Sequence, residues 1–272
     1  MESTTLLKVM LKDMLKWFHD FCIANNLKYY LSSGTMLGAA RHQGFIPWDD
    51  DIDVMMPRDD IRRLEELLSG KGGRYILETP NTSAQDFFYT FPKIYDTGTT
   101  LIENTKYKIK RGIYIDIFPL DGMGNTKVEA EQHLENIRKK FKLLLCKTCG
   151  FRIGRDLHKN LAVALFRCIP LNEKKLLKKV ISLCEKFNYN ECELSGNPVG
   201  AYGMREIMPN EIYGTPTIYK FEDIEVFGVE KYDEYLTSLY GDWRKLPPED
   251  KRVSHHDYIL LDLEKSYLGD DV

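Results

Sequence analysis

The chain has 272 residues, is 43% hydrophobic and 29% charged, and carries a formal net charge of −3. That length allows one large domain or a catalytic domain with a helical appendage, and that composition is of an ordinary globular protein, not a disordered or fibrous one. The charge is uneven: between Lys127 and Lys186 there are 15 basic and 6 acidic residues, so that stretch carries +9 and the remainder −12.

The start, MESTTLLKVMLKDMLK, lacks the basic lead and apolar core of a signal peptide, and no apolar run reaches the roughly 20 residues of a membrane span. Six irregularly spaced cysteines in such a chain fit reduced thiols and a cytoplasmic setting. Residues 3–25 place Leu7, Met10, Leu11, Met14, Leu15, Phe18, Phe21 and Cys22 at helical spacing, which predicts an amphipathic helix on a sheet. Its Met and aromatic stripe is core and not a cofactor site.

Leu27–Leu31 reads as a short strand, Ser32–Thr35 as a small-residue turn, and Thr35–Arg41 as a helix. A strand, glycine turn and helix start leave backbone N–H groups open, which makes an anion site around Ser33, Gly34 and Thr35. Arg41 and His42 follow about two turns on and add positive charge. Pro47 and Trp48 stiffen the approach to four carboxylates in five positions: Asp49, Asp50, Asp51 and Asp53. These acids run directly into the apolar Val54, Met55 and Met56. Carboxylates crowded at the lip of a core strand repel one another unless a divalent cation lies between them, and Mg²⁺ prefers one or two carboxylates plus phosphate oxygens. Strand alternation puts Asp51 and Asp53 on one face, with Asp49 joining if the chain is extended there, and Ile52 and Val54 on the other.

Pro57 opens a predicted helix, RDDIRRLEELLSG, and Arg74–Thr79 is strand-like. Tyr89–Tyr95 and Thr99–Ile102 read as a hairpin around Asp96-Thr97-Gly98. Lys93 on that hairpin is either a surface sheet-edge lysine or a contact for phosphate. Gly112–Phe118 is a further strand, ending at Pro119, and it carries Asp116 among Ile115, Ile117 and Phe118. A buried lone carboxylate needs an ion-pair partner or a metal. The order of elements predicts an α/β (α+β) fold with a mixed β-sheet flanked by helices.

Residues 126–190 read as lysine-rich helices, interrupted at Gly150–Gly154 and Pro170, forming a basic helical insertion. Their charges are either a solvated face or a docking surface for anionic lipid. Cys146-Lys147-Thr148-Cys149, with no second pair at ligand spacing, reads as ordinary thiols; zinc shared with Cys184 and Cys192 is the alternative. A Gly/Pro/Asn-rich passage at 195–203, a hairpin over 218–230, a helix over Tyr232–Tyr240 and an irregular tail with Arg252, Ser254, His255, His256 and Asp257 complete the chain. The divisions are 1–125, a catalytic core; 126–194, the basic helices; and 195–272, a segment returning to the site.

The string GTMLGAARHQGFIPWDDDID (34–53) resembles the signature of the LicD family of phosphocholine transferases, in a nucleotidyltransferase-like superfamily that also holds fukutin and fukutin-related protein. The likeness continues in YTFPKIYDTGTT (89–100), GIYIDIFPLDGM (112–123) and YGDWRKLPPEDKRVSHHD (240–257). It implies a nucleotidyltransferase-like fold and transfer of phosphocholine, or another phospho-alcohol, from a CDP-linked donor to a glycan or lipid-linked glycan hydroxyl. It implies Mg²⁺, with Mn²⁺ as a substitute, between Asp51, Asp53 and Asp116, assisted by Asp49. It further implies that Arg41 and Lys93 meet phosphate, and that Ser33, Gly34, Thr35, Gly38, Trp48, Arg252, His255 and His256 contact substrate. The implied location is the cytoplasm or the inner membrane face, with no nucleic-acid partner.

Overall fold

The computed structural model describes residues 2–81, 86–148, 161, 163–165, 169–254 and 258–269. Its frame is a mixed sheet in the order β1 (Tyr30–Leu31), β2 (Asp53–Pro57), β7 (Tyr114–Gly124), β4 (Lys93–Asp96) and β3 (Tyr75–Glu78). Only β2 and β7 run parallel; the other neighbours on this path are antiparallel. A parallel pair needs a crossover, and here the chain between β2 and β7 supplies α3 (Arg58–Leu68) together with β3 and β4. The far half of β7 pairs with β8 (Leu194–Gly196), which pairs with β9 (Ile207–Pro209).

The central strands turn one apolar face into the core. Ile52, Val54, Met56, Ile94, Ile115 and Ile117 are all buried. α1 (Glu2–Ala24) lays Leu11, Met14, Leu15, Phe18 and Cys22 into this core, one side of the helix as the 3.6-residue period dictates. At α3, Arg58 reaches back to Asp121 on β7 with a bidentate pair of 2.8 and 2.7 Å, and Asp121 is 2% exposed. Such a buried fork fixes the angle of helix on strand.

The basic stretch contains α4 (Lys127–Thr148) and the helix Glu173–Cys184, capped by Asn172, whose side chain accepts from the Lys175 N–H. They enclose a separate apolar cluster of Ala130, Leu134, Ile137, Leu177 and Val180, joined by Met123 and Ile207 from β7 and β9. The Gly150–Gly154 break and Cys149 lie outside the described residues.

Four expectations are corrected. The segments 89–95 and 99–102 do not form a hairpin: β4 joins the main sheet, while β5 (Thr100–Glu103) pairs with β6 (Lys110–Arg111) and β12 (Tyr258–Asp262) in another. The Asp96–Gly98 turn redirects the chain instead of folding it back, since Asp96 Oδ1 accepts from the Gly98 N–H and binds Arg74. Pro119 does not end its strand: β7 continues to Gly124, with Pro119 opposite Met56. The tail is not irregular throughout, because Tyr258–Asp262 finds an edge in β5. The strand expected over Leu27–Leu31 is only Tyr30–Leu31. The hairpin over 218–230 is present as β10 (Thr217–Phe221) and β11 (Ile224–Gly228).

Candidate active site

The site is built where β2, β7 and β4 lie side by side. Asp53 and Asp116 are register partners across the parallel pair, and Lys93 is the partner of Asp116 across the antiparallel one. Register partners project to the same face of a sheet, so the three side chains form a row: acid, acid, base. Asp51, two residues before Asp53, lines the same cleft as Asp53, and its charge acts on Asp116. Ile52 and Val54 are buried on the opposite face, as the alternation predicted.

Lys93 is not a surface lysine. It is 1% exposed, with Nζ 2.8 Å from Asp116 Oδ1 and 3.9 Å from Glu103 Oε1, and 3.4 Å from the centre of the Tyr114 ring. The approach to Oδ1 is a charge contact off the line of a hydrogen bond, which leaves that buried oxygen without an aligned donor. Burial outweighs Lys93 and pushes the Asp116 carboxyl up to about 6.

A cleft of about 570 Å³ reaches this row at Asp53. Asp49, Asp51, Asp53, Ser33, Gly34 and Trp48 line one wall. The other wall is the loop from Asn197 to Glu206, with Phe91, Phe118 and Tyr240 between them. The size suits a nucleotide-type ligand. Among the described residues no three His, Cys, Asp or Glu side chains close into a ready-made metal cage. A pair of carboxylates with phosphate oxygens is nevertheless what Mg²⁺ prefers, and the aligned Asp53–Asp116 pair, with its donorless Oδ1, fits that hard-oxygen demand.

The helix beyond β1, α2 (Ser33–His42), starts at the cleft. Ser33 has a φ of 44°, an unusual conformation for a residue with a Cβ, and its N–H donates to the Tyr235 hydroxyl at 3.1 Å. Thr35 turns inward: its Oγ1 accepts from the Asp53 N–H at 2.8 Å, tying the helix start to the acidic strand. Asp49 rests over Gly34, with Oδ2 only 2.9 Å from where a Cβ would stand. Carboxylates and the helix N-terminus therefore occupy one corner, where the helix dipole favours negative charge.

Other expected residues stand further off. Arg41 is at the opposite end of α2, donating from Nη1 to the Trp243 carbonyl at 2.9 Å and from Nε to His42 at 3.0 Å. Gly38 is buried and packs the helix on the following turn, because a Cβ there would meet the Gly44 carbonyl oxygen at 2.4 Å. Arg252 lies over the Trp48 ring, 5.8 Å from its centre, and Ser254 donates to Asp50 at 2.8 Å, so the tail does reach the acidic segment. His255, His256 and Asp257 lie outside the described residues. Cys22, Cys184 and Cys192 are free thiols.

Sequence reading missed the second wall. Glu206 is 8% exposed, and desolvation, stronger than the Tyr202 N–H bond and the nearby Arg138 and Arg205, pushes its carboxyl up to about 7. A lone Glu in GMRE carries no local signal; the only hint was the Gly/Pro/Asn-rich passage beside it.

A mixed sheet with paired acids at the mouth of a parallel strand pair, beside a helix N-terminus at a nucleotide-sized cleft, is the arrangement of a nucleotidyltransferase-type protein. Residues 26–144 match the LicD/FKTN/FKRP nucleotidyltransferase domain. The chain is 31% identical over 253 residues to the lipopolysaccharide cholinephosphotransferase LicD of Haemophilus influenzae, covering 90% of this chain and 92% of that protein. It is 38% identical over 55 residues to the human ribitol 5-phosphate transferase FKRP, covering 20% of this chain and 11% of that protein. Over 131 residues it is 28% identical to mannosyltransferase regulator 4 of Saccharomyces cerevisiae, of which it spans 11%. The chain belongs to the LicD family.

Proposed function

We propose that this protein transfers phosphocholine from CDP-choline to a hydroxyl of a cell-surface glycan precursor, of the lipopolysaccharide, teichoic acid or capsule type, releasing CMP. The observation that carries this reading is the Asp53–Asp116 pair, which meets the cleft at Asp53, in a chain similar along nine-tenths of its length to a cholinephosphotransferase. Asp51, Asp53 and Asp116 are the residues that would hold Mg²⁺ or Mn²⁺, with Asp49 assisting. When bound, the cation supplies charge compensation for the donor phosphates and the departing CMP.

The chain's own groups do the rest. Lys93 offsets the charge of Asp116, so the row of acids tolerates its own repulsion. Thr35 holds the Asp53 backbone in place, and Trp48, Phe91 and Phe118 exclude water from the reacting face. Gly34 and Thr35 at the start of α2 are the residues whose backbone N–H groups would meet a phosphate oxygen.

A second reading keeps the chemistry and changes the cargo to ribitol phosphate or glycerol phosphate; the similarity to a ribitol 5-phosphate transferase favours it. CMP release from CDP-choline, CDP-ribitol and CDP-glycerol, each with Mg²⁺ and a glycan acceptor, separates the two. Turnover of CDP-choline alone supports the first reading. Turnover of only the other donors supports the second, and turnover of none removes both.

The reaction is assigned to the cytoplasm or the inner membrane face. No helix among the described residues is long and apolar enough to cross a membrane. Leu145, Leu161, Leu165 and Ile169 are exposed on the lysine-rich helical region, the pattern of a surface that rests on anionic lipid. Salt-sensitive co-sedimentation with phosphatidylglycerol vesicles is the expected result; its absence removes the membrane assignment.

A further inference from the structure

The wall of the cleft opposite the acids has a chemistry of its own. Tyr202 and Tyr240 meet edge to face with ring centres 5.2 Å apart, and both line the cleft. Tyr240 also feels the charge of Asp53, so this part of the cleft is within electrostatic reach of the acidic row. The Glu206 carboxylate is held in place by the Tyr202 N–H, which donates to Oε1 at 2.7 Å. It lies flat over Gly200, where a Cβ would meet Oε2 at 2.0 Å; only glycine allows the carboxylate to sit there. Arg138 donates to the Gly200 carbonyl at 3.0 Å and Arg205 stacks on Tyr202; both act on Glu206 by charge from a distance, and neither forms a direct ion pair with it.

A buried carboxylate in a cleft that two tyrosines also line, without an ion-pair partner among the described residues, is suited to a cation that arrives from outside. A metal already has its carboxylates on the other wall, and aromatic rings suit an alkylated ammonium better than a hydrated ion. We infer that Glu206, Tyr202 and Tyr240 form the subsite for the cationic end of the transferred alcohol, and that Glu206 sets the choice of a quaternary ammonium over a neutral polyol. The inference rests on the phosphocholine reading and deepens it: phosphate lies toward Asp53 and Asp116, and the trimethylammonium lies against the tyrosines, with the carboxylate as counter-charge.

The test is calorimetric binding of CDP-choline, CDP-glycerol and CMP to the wild type and to Glu206→Gln, with Tyr240→Leu as a second variant. Glutamine keeps an acceptor for the Tyr202 N–H and removes only the charge, and CMP reports whether the nucleotide site is intact. The expected result is a wild-type preference for CDP-choline over CDP-glycerol of about tenfold or more, collapsing toward one in Glu206→Gln and reduced in Tyr240→Leu. A Glu206→Gln protein that keeps the wild-type preference, or that weakens for all three ligands in step, overturns the assignment. A wild type that binds CDP-glycerol as well as CDP-choline also overturns it while leaving transfer from a CDP-alcohol standing. A wild type that binds none of the three contradicts the phosphocholine reading itself.

Discussion

Asp53 and Asp116 are partners in the only parallel strand pair of the central sheet, and Lys93 approaches Asp116 from its other side to 2.8 Å. The row holds two like charges together with one counter-charge. The stability and the chemistry of the site both turn on that arrangement.

Lys93→Met strands Asp116 in a buried position, and removal of one member of such a pair destabilises by roughly 3–5 kcal/mol. The double variant Lys93→Met/Asp116→Leu should recover most of that loss in urea unfolding, because it removes both charges from the interior. It should not recover turnover. If the double variant is no more stable than Lys93→Met, the pair is not coupled as described.

Thr35→Val conserves volume and removes the acceptor of the Asp53 N–H. A backbone donor deprived of its buried partner costs about 1–3 kcal/mol, and the acidic strand should shift at its most sensitive point. The expected outcome is a fall in kcat larger than the change in KM for donor. Thr35→Ser, which retains the hydroxyl, should stay near wild type; equal loss in both variants would point to packing by the methyl group instead.

Glu206 makes folding pH-dependent in a known direction. Its carboxyl is pushed up from 4.5 to about 7, so the folded state binds the proton more tightly than the unfolded chain does. Stability from this group is complete below about pH 4.5 and is lost as pH rises through about 7, by up to roughly 3 kcal/mol. Glu206→Gln should therefore be the more stable protein at pH 8, with the gap closing toward pH 5. A gap that is constant with pH would show that Glu206 does not titrate in this range.

Gly38→Ala forces a methyl group toward the Gly44 carbonyl oxygen. Overpacking against backbone costs about 1–3 kcal/mol, so thermal unfolding should move down by several degrees. An unchanged midpoint would mean that α2 can slide on the turn that follows it.

Local patterns made much of this legible. The stripe on α1, the alternation Asp51-Ile52-Asp53-Val54 and the run around Asp116 each satisfy a short-range rule, and each element is present, although the strand around Asp116 runs on past Pro119 to Gly124. The hairpin over 218–230 was readable for the same reason. Pairings set at long range were not. Nothing near Lys93 says that β4 will pair with β7 and carry its ammonium into the core, and the turn at Asp96 looks like a hairpin whichever sheet receives the next strand. The tail strand could have been found from YILLD, an apolar run in need of an edge. Glu206 could not, because its significance comes from Gly200, Tyr202 and Tyr240, which only the folded loop brings to it.

The most direct test of the central claim is metal-dependent CMP release from CDP-choline with a glycan acceptor, for the wild type, Asp53→Asn and Asp116→Asn, with each protein shown folded by circular dichroism. Turnover that requires Mg²⁺, stops with EDTA and falls by roughly a hundredfold or more in both variants is the predicted result. Wild-type turnover undiminished by EDTA, or a folded Asp53→Asn protein working at the wild-type rate, would contradict the account.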